Sequence, residues 1–190
     1  METPGRYRNS KTADKMSSFA NVTFHACKNG ILNDDFNTRD FWLVQQENCA
    51  SYTPKGLSAA VKDKYSYAFI LDRPTTERRP GQIIVCKPPD GGIYGGPIIV
   101  NFLAQKYPGK PGRAILDNAR YRQAYFLNCL NLLKEEIKKC TETDRPTVVF
   151  PDHVGCTLAG GDWKVYRKMI LDWATEMQRA CDVKIVKLAM

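Results

Sequence analysis

The stretch from Thr147 to Trp163 limits most what this chain can become. It holds an apolar run (Val148, Val149, Phe150), then Pro151-Asp152-His153, then Val154-Gly155-Cys156-Thr157-Leu158-Ala159-Gly160-Gly161-Asp162-Trp163. A β-branched run that stops at a proline, passes through a glycine-containing loop and enters an amphipathic pattern reads as strand, loop, helix. Such a junction suits phosphate, because loop glycines let backbone N–H groups approach an anion and the positive end of the following helix favours negative charge. The alternative for Gly155, Gly160 and Gly161 is an ordinary turn.

The same pattern recurs along the chain. Val22 to Cys27 reads as a first strand, left through the turn Lys28-Asn29-Gly30-Ile31, and Phe41 to Gln46 reads as a second, ending at Glu47-Asn48-Cys49. Thr53-Pro54-Lys55-Gly56 then precedes a short helix over 57–62, with apolar residues at 57, 60 and 61. Between Arg73 and Gly96, prolines and glycines surround one strand, Gln82 to Cys86. Ile98 to Leu103 is apolar apart from Asn101 and β-branched at its start, as in a strand buried on both faces, and it empties into the loop 104–112. A long helix carrying Phe126, Leu127, Leu130, Leu133 and Ile137 follows. After Asp162 comes a helix with Trp163, Tyr166, Met169, Ile170, Trp173 and Met177 on one face, and Val183 to Leu188 closes the chain as a strand. Strands buried on both faces and separated by helices predict a three-layer α/β/α domain. Ligands of such sheets sit outside the carboxyl ends of the strands, which nominates the loops 48–56, 104–112 and 151–162.

With 190 residues, 43% of them hydrophobic, the chain suits one domain over 18–190 behind a polar, basic tail at 1–17 that cannot compensate the entropy of ordering. No apolar run approaches the roughly 20 residues that span a bilayer. The expectation is a soluble intracellular protein, cytoplasmic or nuclear, with no membrane partner. Seven scattered cysteines, none in a Cys-x-x-Cys pair, indicate neither a disulfide framework nor a metal site. The net charge of +8 suits phosphates or RNA, or is simply a solvated surface.

Single residues carry paired readings. Asn48 either bonds its own backbone in an Asx turn or offers its amide to a sugar hydroxyl. Gly56 opens a helix where a phosphate can approach. Asp162 is the N-cap of the last helix or a catalytic acid. His153 is an acid or base, or a surface hydrogen-bonding group. His25 is structural, Cys156 packs in the glycine loop, and Tyr94 and Tyr107 are loop aromatics able to stack on a base.

Phe150 to Trp163 closely resembles the second ligand loop of macro domains, in the branch that includes ADP-ribose 1″-phosphate phosphatases and ADP-ribosyl-glutamate hydrolases. Ile98 to Gln105 looks like that branch's central strand, and Asn48 through Ala59 looks like its first loop, Asn followed eight residues later by Gly. The resemblance covers residues 20 to 190. It implies a mixed sheet between helices and an ADP-ribose cleft over the strand ends. Asn48 would meet the distal ribose, Lys55, Gly56 and Leu57 with Gly155, Cys156, Thr157, Leu158 and Ala159 would wrap the diphosphate, and Gly30-Ile31 would lie near adenine. Gln105 would stand beside the cleft.

The departures are specific. Many macro domains have Gly-Asp after the first strand, where this chain has Asn29-Gly30, and Pro54 replaces a first-loop glycine. Glutamate hydrolases use a Lys and an Asp where this chain has Gln105 and Ala159, so no lysine-dependent covalent mechanism is implied. The expectation is water-mediated hydrolysis of ADP-ribose 1″-phosphate or a related ADP-ribosyl derivative, with Asn48, His153 or Asp162 orienting the water and no cofactor. A non-catalytic reader of ADP-ribose or poly(ADP-ribose), and an RNA-binding macro domain, are the alternatives. The oligomeric state is left open.

Overall fold

Each apolar run becomes a strand, and the computed structural model shows how they assemble. It describes residues 21–70, 77–89, 95–112, 116–140 and 145–189; the tail at 1–17 and Tyr94 lie outside the described residues. In chain order the elements are β1 (Val22–Cys27), β2 (Phe41–Asn48), α1 (Leu57–Lys64), β3 (Ile83–Cys86), β4 (Ile98–Gln105), α2 (Ala119–Ile137), β5 (Thr147–Pro151), α3 (Trp163–Glu176) and β6 (Asp182–Leu188). Short 3₁₀ turns occupy Gly30–Leu32, Asp34–Phe36 and Ser66–Ala68.

The six strands form one sheet in the order β1-β6-β5-β2-β4-β3. Every pairing is parallel except that of β3 with β4. The sheet is therefore mixed, and its parallel strands all end on one edge. Side chains alternate between two cores, as the period of a strand requires. Trp42, Val44, Phe102 and Phe150 join α2 and α3 on one face, while Leu43, Ile99, Leu103 and Val149 join α1 and the 3₁₀ turns on the other. Phe102 meets Phe126 and Phe150 edge-on at 5.4 and 6.3 Å. Each such fully buried side chain contributes about 1.5–3 kcal/mol. The three-layer α/β/α architecture expected from the sequence is what forms, and no disulfide links the seven cysteines.

The helices follow their stripes, with two corrections. In α2, Phe126, Leu130, Leu133 and Ile137 are buried, whereas Leu127 is 47% exposed because it falls off that face. The short α1 buries Ser58 and Val61 rather than Leu57 and Ala60. β2 runs on through Asn48 and β4 through Gln105, past the apolar residues, because the backbone pairing continues. Gln46 pairs with Phe102 and Asn48 with Gln105, so Glu47 alone spans Leu103 and Ala104. Among the described residues no helix is long and apolar enough to cross a membrane.

Candidate functional site

A cleft of about 740 Å³ opens over the carboxyl ends of β2, β4, β5 and β6. Three loops converge on it. Asn48, Ser51, Thr53 and Lys55 come from the first, with Leu57 and Ser58 at the start of α1; Gln105, Pro108 and Gly109 come from the second; Asp152 to Gly155 and Thr157 to Ala159 come from the third. Leu188, at the tip of β6, completes one end.

The first loop is shaped by Asn48, whose Oδ1 accepts from the N–H groups of Ala50 at 3.1 Å and Ser51 at 2.6 Å. This is the Asx turn. Asn48 also lines the cleft, so its Nδ2 is the group it has left for a ligand. Gly56, at φ +60°, caps α1 with no side-chain bond. The first N–H groups of that helix have no intrahelical partner.

The third loop is a series of turns: Val154 N–H donates to Pro151 O, Cys156 to His153 O, Gly160 to Thr157 O and Gly161 to Gly155 O. Gly155, Thr157, Leu158 and Ala159 are left with backbone N–H groups that donate to no partner among the described residues. All four line the cleft. Unpaired backbone donors clustered on a concave wall are an anion-binding surface. Gly155 sits at φ +70°, and a Cβ there would strike the Gln46 amide and come within 3.1 Å of the Tyr166 ring. Only glycine fits.

Half-buried Gln46 and buried Arg122, neither singled out from the sequence, hold the walls. Gln46 donates to Gln105 Oε1 at 2.7 Å, tying β2 to β4 beneath the cleft. Arg122, on α2 and only 2% exposed, pairs with Asp117 through Nε at 3.1 Å and Nη2 at 2.6 Å. It also donates to the carbonyls of Tyr107, Gly109 and Ala159, clamping the second loop to the third. Asp117 in turn accepts from the N–H groups of Lys106 and Tyr107. That spends all five guanidinium donors.

Among the described residues, Glu47 and Asp152 are the acids that line the cleft. Glu47 is 7% exposed, and burial pushes its carboxyl up to about 7, with Ser58 and the Arg78 guanidinium offsetting part of the rise. A polar run, Gln45-Gln46-Glu47, inside a strand buried on both faces was the signal available for it. Asp152 Oδ2 lies 2.8 Å from His153 Nδ1, and the His153 ring stacks on Trp163 at 5.0 Å.

Of the residues singled out from the sequence, Asn48, Lys55, Leu57, Gln105, His153, Gly155, Thr157, Leu158 and Ala159 line the cleft. Gly56 stands between two of them, and its added Cβ would lie 3.1 Å from Leu158. Gly56 itself does not line it, and neither do four others. Cys156 turns its thiol to Val154 O at 3.3 Å, and burial pushes that thiol up to about 12. Gly30 lies against Leu188, and Ile31 is in the core. Asp162 accepts from Lys164 N–H at 2.9 Å as the N-cap of α3.

No family model matches the chain, and no curated protein matches it in sequence. Solved structures do. The macrodomain of Mycobacterium tuberculosis DarG superposes with a TM-score of 0.63 at 20% identity, over 89% of this chain and 99% of that one. The macrodomain of Thermus aquaticus DarG gives 0.62 at 17% identity, over 87% and 97%. A mutant Oceanobacillus iheyensis macrodomain with ADPR gives 0.56 at 14% identity, over 90% and 88%. With superposition at these scores over nearly the whole of both chains, this chain has the macrodomain fold.

Proposed function

We propose that the cleft binds ADP-ribose, or a derivative extended from its distal ribose, and that the protein hydrolyses ADP-ribose 1″-phosphate or a related ADP-ribosyl compound. The observation that carries this reading is the set of unpaired N–H groups at Gly155, Thr157, Leu158 and Ala159, facing the cleft opposite Lys55 and the start of α1. A diphosphate supplies the acceptors these donors lack. Asn48 Nδ2 then donates to the distal ribose, and Glu47, the neighbouring carboxyl, stands where it can take a proton from an attacking water. Water adds to phosphorus, the bond from phosphorus to the ribose oxygen breaks, and that oxygen takes up the proton Glu47 received, giving ADP-ribose and inorganic phosphate.

One observation favours a second reading, retention of ADP-ribose or poly(ADP-ribose) without turnover. The Cys156 thiol is held far from ionisation, Asp162 is engaged as a helix cap, and Gln105 and Ala159 supply neither base nor acid.

Titration calorimetry with ADP-ribose tests the binding claim shared by both readings. Asn48→Ala should weaken binding by about 0.5–1.5 kcal/mol, one hydrogen bond. An unchanged dissociation constant would remove Asn48 from the site. No heat at millimolar ADP-ribose, alongside salt-sensitive RNA binding, would replace the reading with RNA recognition. Phosphate release from ADP-ribose 1″-phosphate, measured above a Gly155→Glu control, then separates hydrolysis from retention.

A further inference from the structure

The first two loops each have two sides. In the first, Asn48, Ser51 and Thr53 line the cleft, whereas Cys49, Ala50 and Tyr52 line a second hollow of about 340 Å³. The second loop divides the same way, with Gln105, Pro108 and Gly109 in the cleft and Lys106 and Tyr107 in the hollow. The Cys49 N–H donates to the carbonyls of Gln105 at 3.1 Å and Lys106 at 3.2 Å, which joins the two loops.

Arg78, which also lines the hollow, is the anomaly there. It is 3% exposed, its Nη1 donates to Ser51 O at 2.7 Å, and its Nε and Nη2 are buried with no hydrogen-bond partner. Arg122 shows what that pair of donors suits: there Nε and Nη2 hold the two oxygens of Asp117 as a fork. In Arg78 the same fork is unpaired. No acid among the described residues lines the hollow, and Glu47, which feels the Arg78 charge, bonds Ser58 instead. Burying a cation with two donors unsatisfied is costly, and an oxyanion that brings two oxygens to the fork removes that cost.

The rest of the hollow narrows the oxyanion to a phosphate carried beside a flat ring. Lys106 adds a second positive charge, suited to a doubly charged group, with its Nζ 5.3 Å from the Tyr107 ring. Tyr52 and Tyr107 are 63% and 45% exposed, and the Tyr52 ring lies against the Arg78 guanidinium at 5.1 Å. Tyrosines that keep a face in water beside clustered cations make a stacking platform for a base. Tyr107, read from the sequence as a loop aromatic able to stack on a base, thus belongs to this hollow and not to the cleft lining. The exposed Tyr52 ring can turn aside to admit oxygens to the fork.

We propose that the hollow is a second ligand site, separate from the cleft, that takes a nucleoside phosphate, its phosphate oxygens on the Arg78 fork and beside Lys106 and its base against Tyr107. A free nucleotide and the phosphorylated end of a single strand share this chemistry.

Calorimetry of the full chain with uridine 5′-monophosphate tests the site, with saturating ADP-ribose present and absent. Uridylate should bind in both cases, and uridine, which lacks the phosphate, should bind at least about tenfold more weakly. Arg78→Lys keeps the charge without the fork and should weaken uridylate by about tenfold, and Lys106→Ala should weaken it by about threefold. A 5′-phosphorylated oligouridylate that binds about tenfold tighter than uridylate assigns the site to a strand end, whereas equal affinity assigns it to the free nucleotide. Uridylate displaced by ADP-ribose, uridine bound as well as uridylate, or uridylate bound equally by the wild type and both variants would overturn the proposal and leave the cleft reading standing. Uridylate bound by a protein that does not bind ADP-ribose would instead overturn the cleft reading alone.

Discussion

The two glycine loops that face each other across the cleft solve the same problem in opposite ways. Gly56 starts α1 without any side-chain cap, so the helix end stays open beside Lys55 and Leu57. Asp162 starts α3 with a carboxylate that accepts from Lys164 N–H, so that end is closed by the chain itself. The third loop presents N–H groups from its turns instead, and α3 stands behind as a buttress whose Tyr166 packs against Gly155. A helix N-terminus following a glycine loop is thus not automatically the anion site. What decides is whether its donors are already used.

The largest expected effect comes from filling the glycine that the third loop cannot spare. Gly155→Ala should cost about 1–3 kcal/mol of left-handed strain and a similar amount of overpacking against Gln46 and Tyr166. Gly56→Ala should cost the strain alone, since its close neighbour is the far end of the exposed Leu158 side chain. Urea unfolding of both variants checks this, and equal losses would break the contrast between a buttressed loop and an open one.

Next comes the clamp. Arg122→Met leaves Asp117, 2% exposed, as an uncompensated buried charge and should cost about 3–5 kcal/mol. Amide exchange should then rise in the second and third loops, where Arg122 holds carbonyls, and not in the first. A uniform rise over all three loops would show that the first loop depends on the clamp too.

Much of this arrangement was legible in the sequence because it rests on local pattern. Strands apolar at nearly every position, such as Ile98 to Leu103 with Asn101 its one polar residue, had to be buried on both faces, and that alone stacks helices on two sides of a sheet. Asp162 as a cap follows from its place before an amphipathic run, and Asn48 as an Asx turn from its place after a strand. Other features depend on distance through space. Arg122 is one of 28 basic residues, and nothing in its neighbours along the chain says that it reaches carbonyls on two separate loops. Leu57, expected from the resemblance to face the diphosphate, lines the cleft, while the burial of Ser58 in α1 has no signal in the apolar pattern. Glu47 was hidden by its strand, where continued pairing with β4 overrides the end of the apolar run.

Glu47 sharpens the comparison on the α1 side of the cleft. Its carboxyl sits at about 7 against 4.5 when exposed, so between those values the folded protein keeps a proton that the unfolded chain has released. Stability should fall as pH rises from about 4.5 to about 7 and be level in this respect above it. The ionised form costs about 3 kcal/mol. Glu47→Gln should remove that slope and raise the unfolding midpoint at pH above 7, with little change near pH 4.5. ADP-ribose should also bind less tightly to the wild-type protein as pH passes about 7, since the ionised carboxylate repels a diphosphate. A Glu47→Gln protein with the wild-type pH profile would place the titration elsewhere.

The smallest effect tests the closed helix end directly. Asp162→Ala removes one cap, and α3 should lose about 1 kcal/mol of stability. If the third loop binds anions through its turns, ADP-ribose affinity should stay within about twofold, because the lost carboxylate served Lys164 N–H and does not line the cleft. Freeing the α3 terminus would matter to a ligand only if phosphate lay against it. A tenfold gain in affinity would show that it does, with the native carboxylate acting as a competitor for the same N–H groups. The contrast with Gly56 would then vanish, and both loops would be open helix ends of which one is occupied by its own chain.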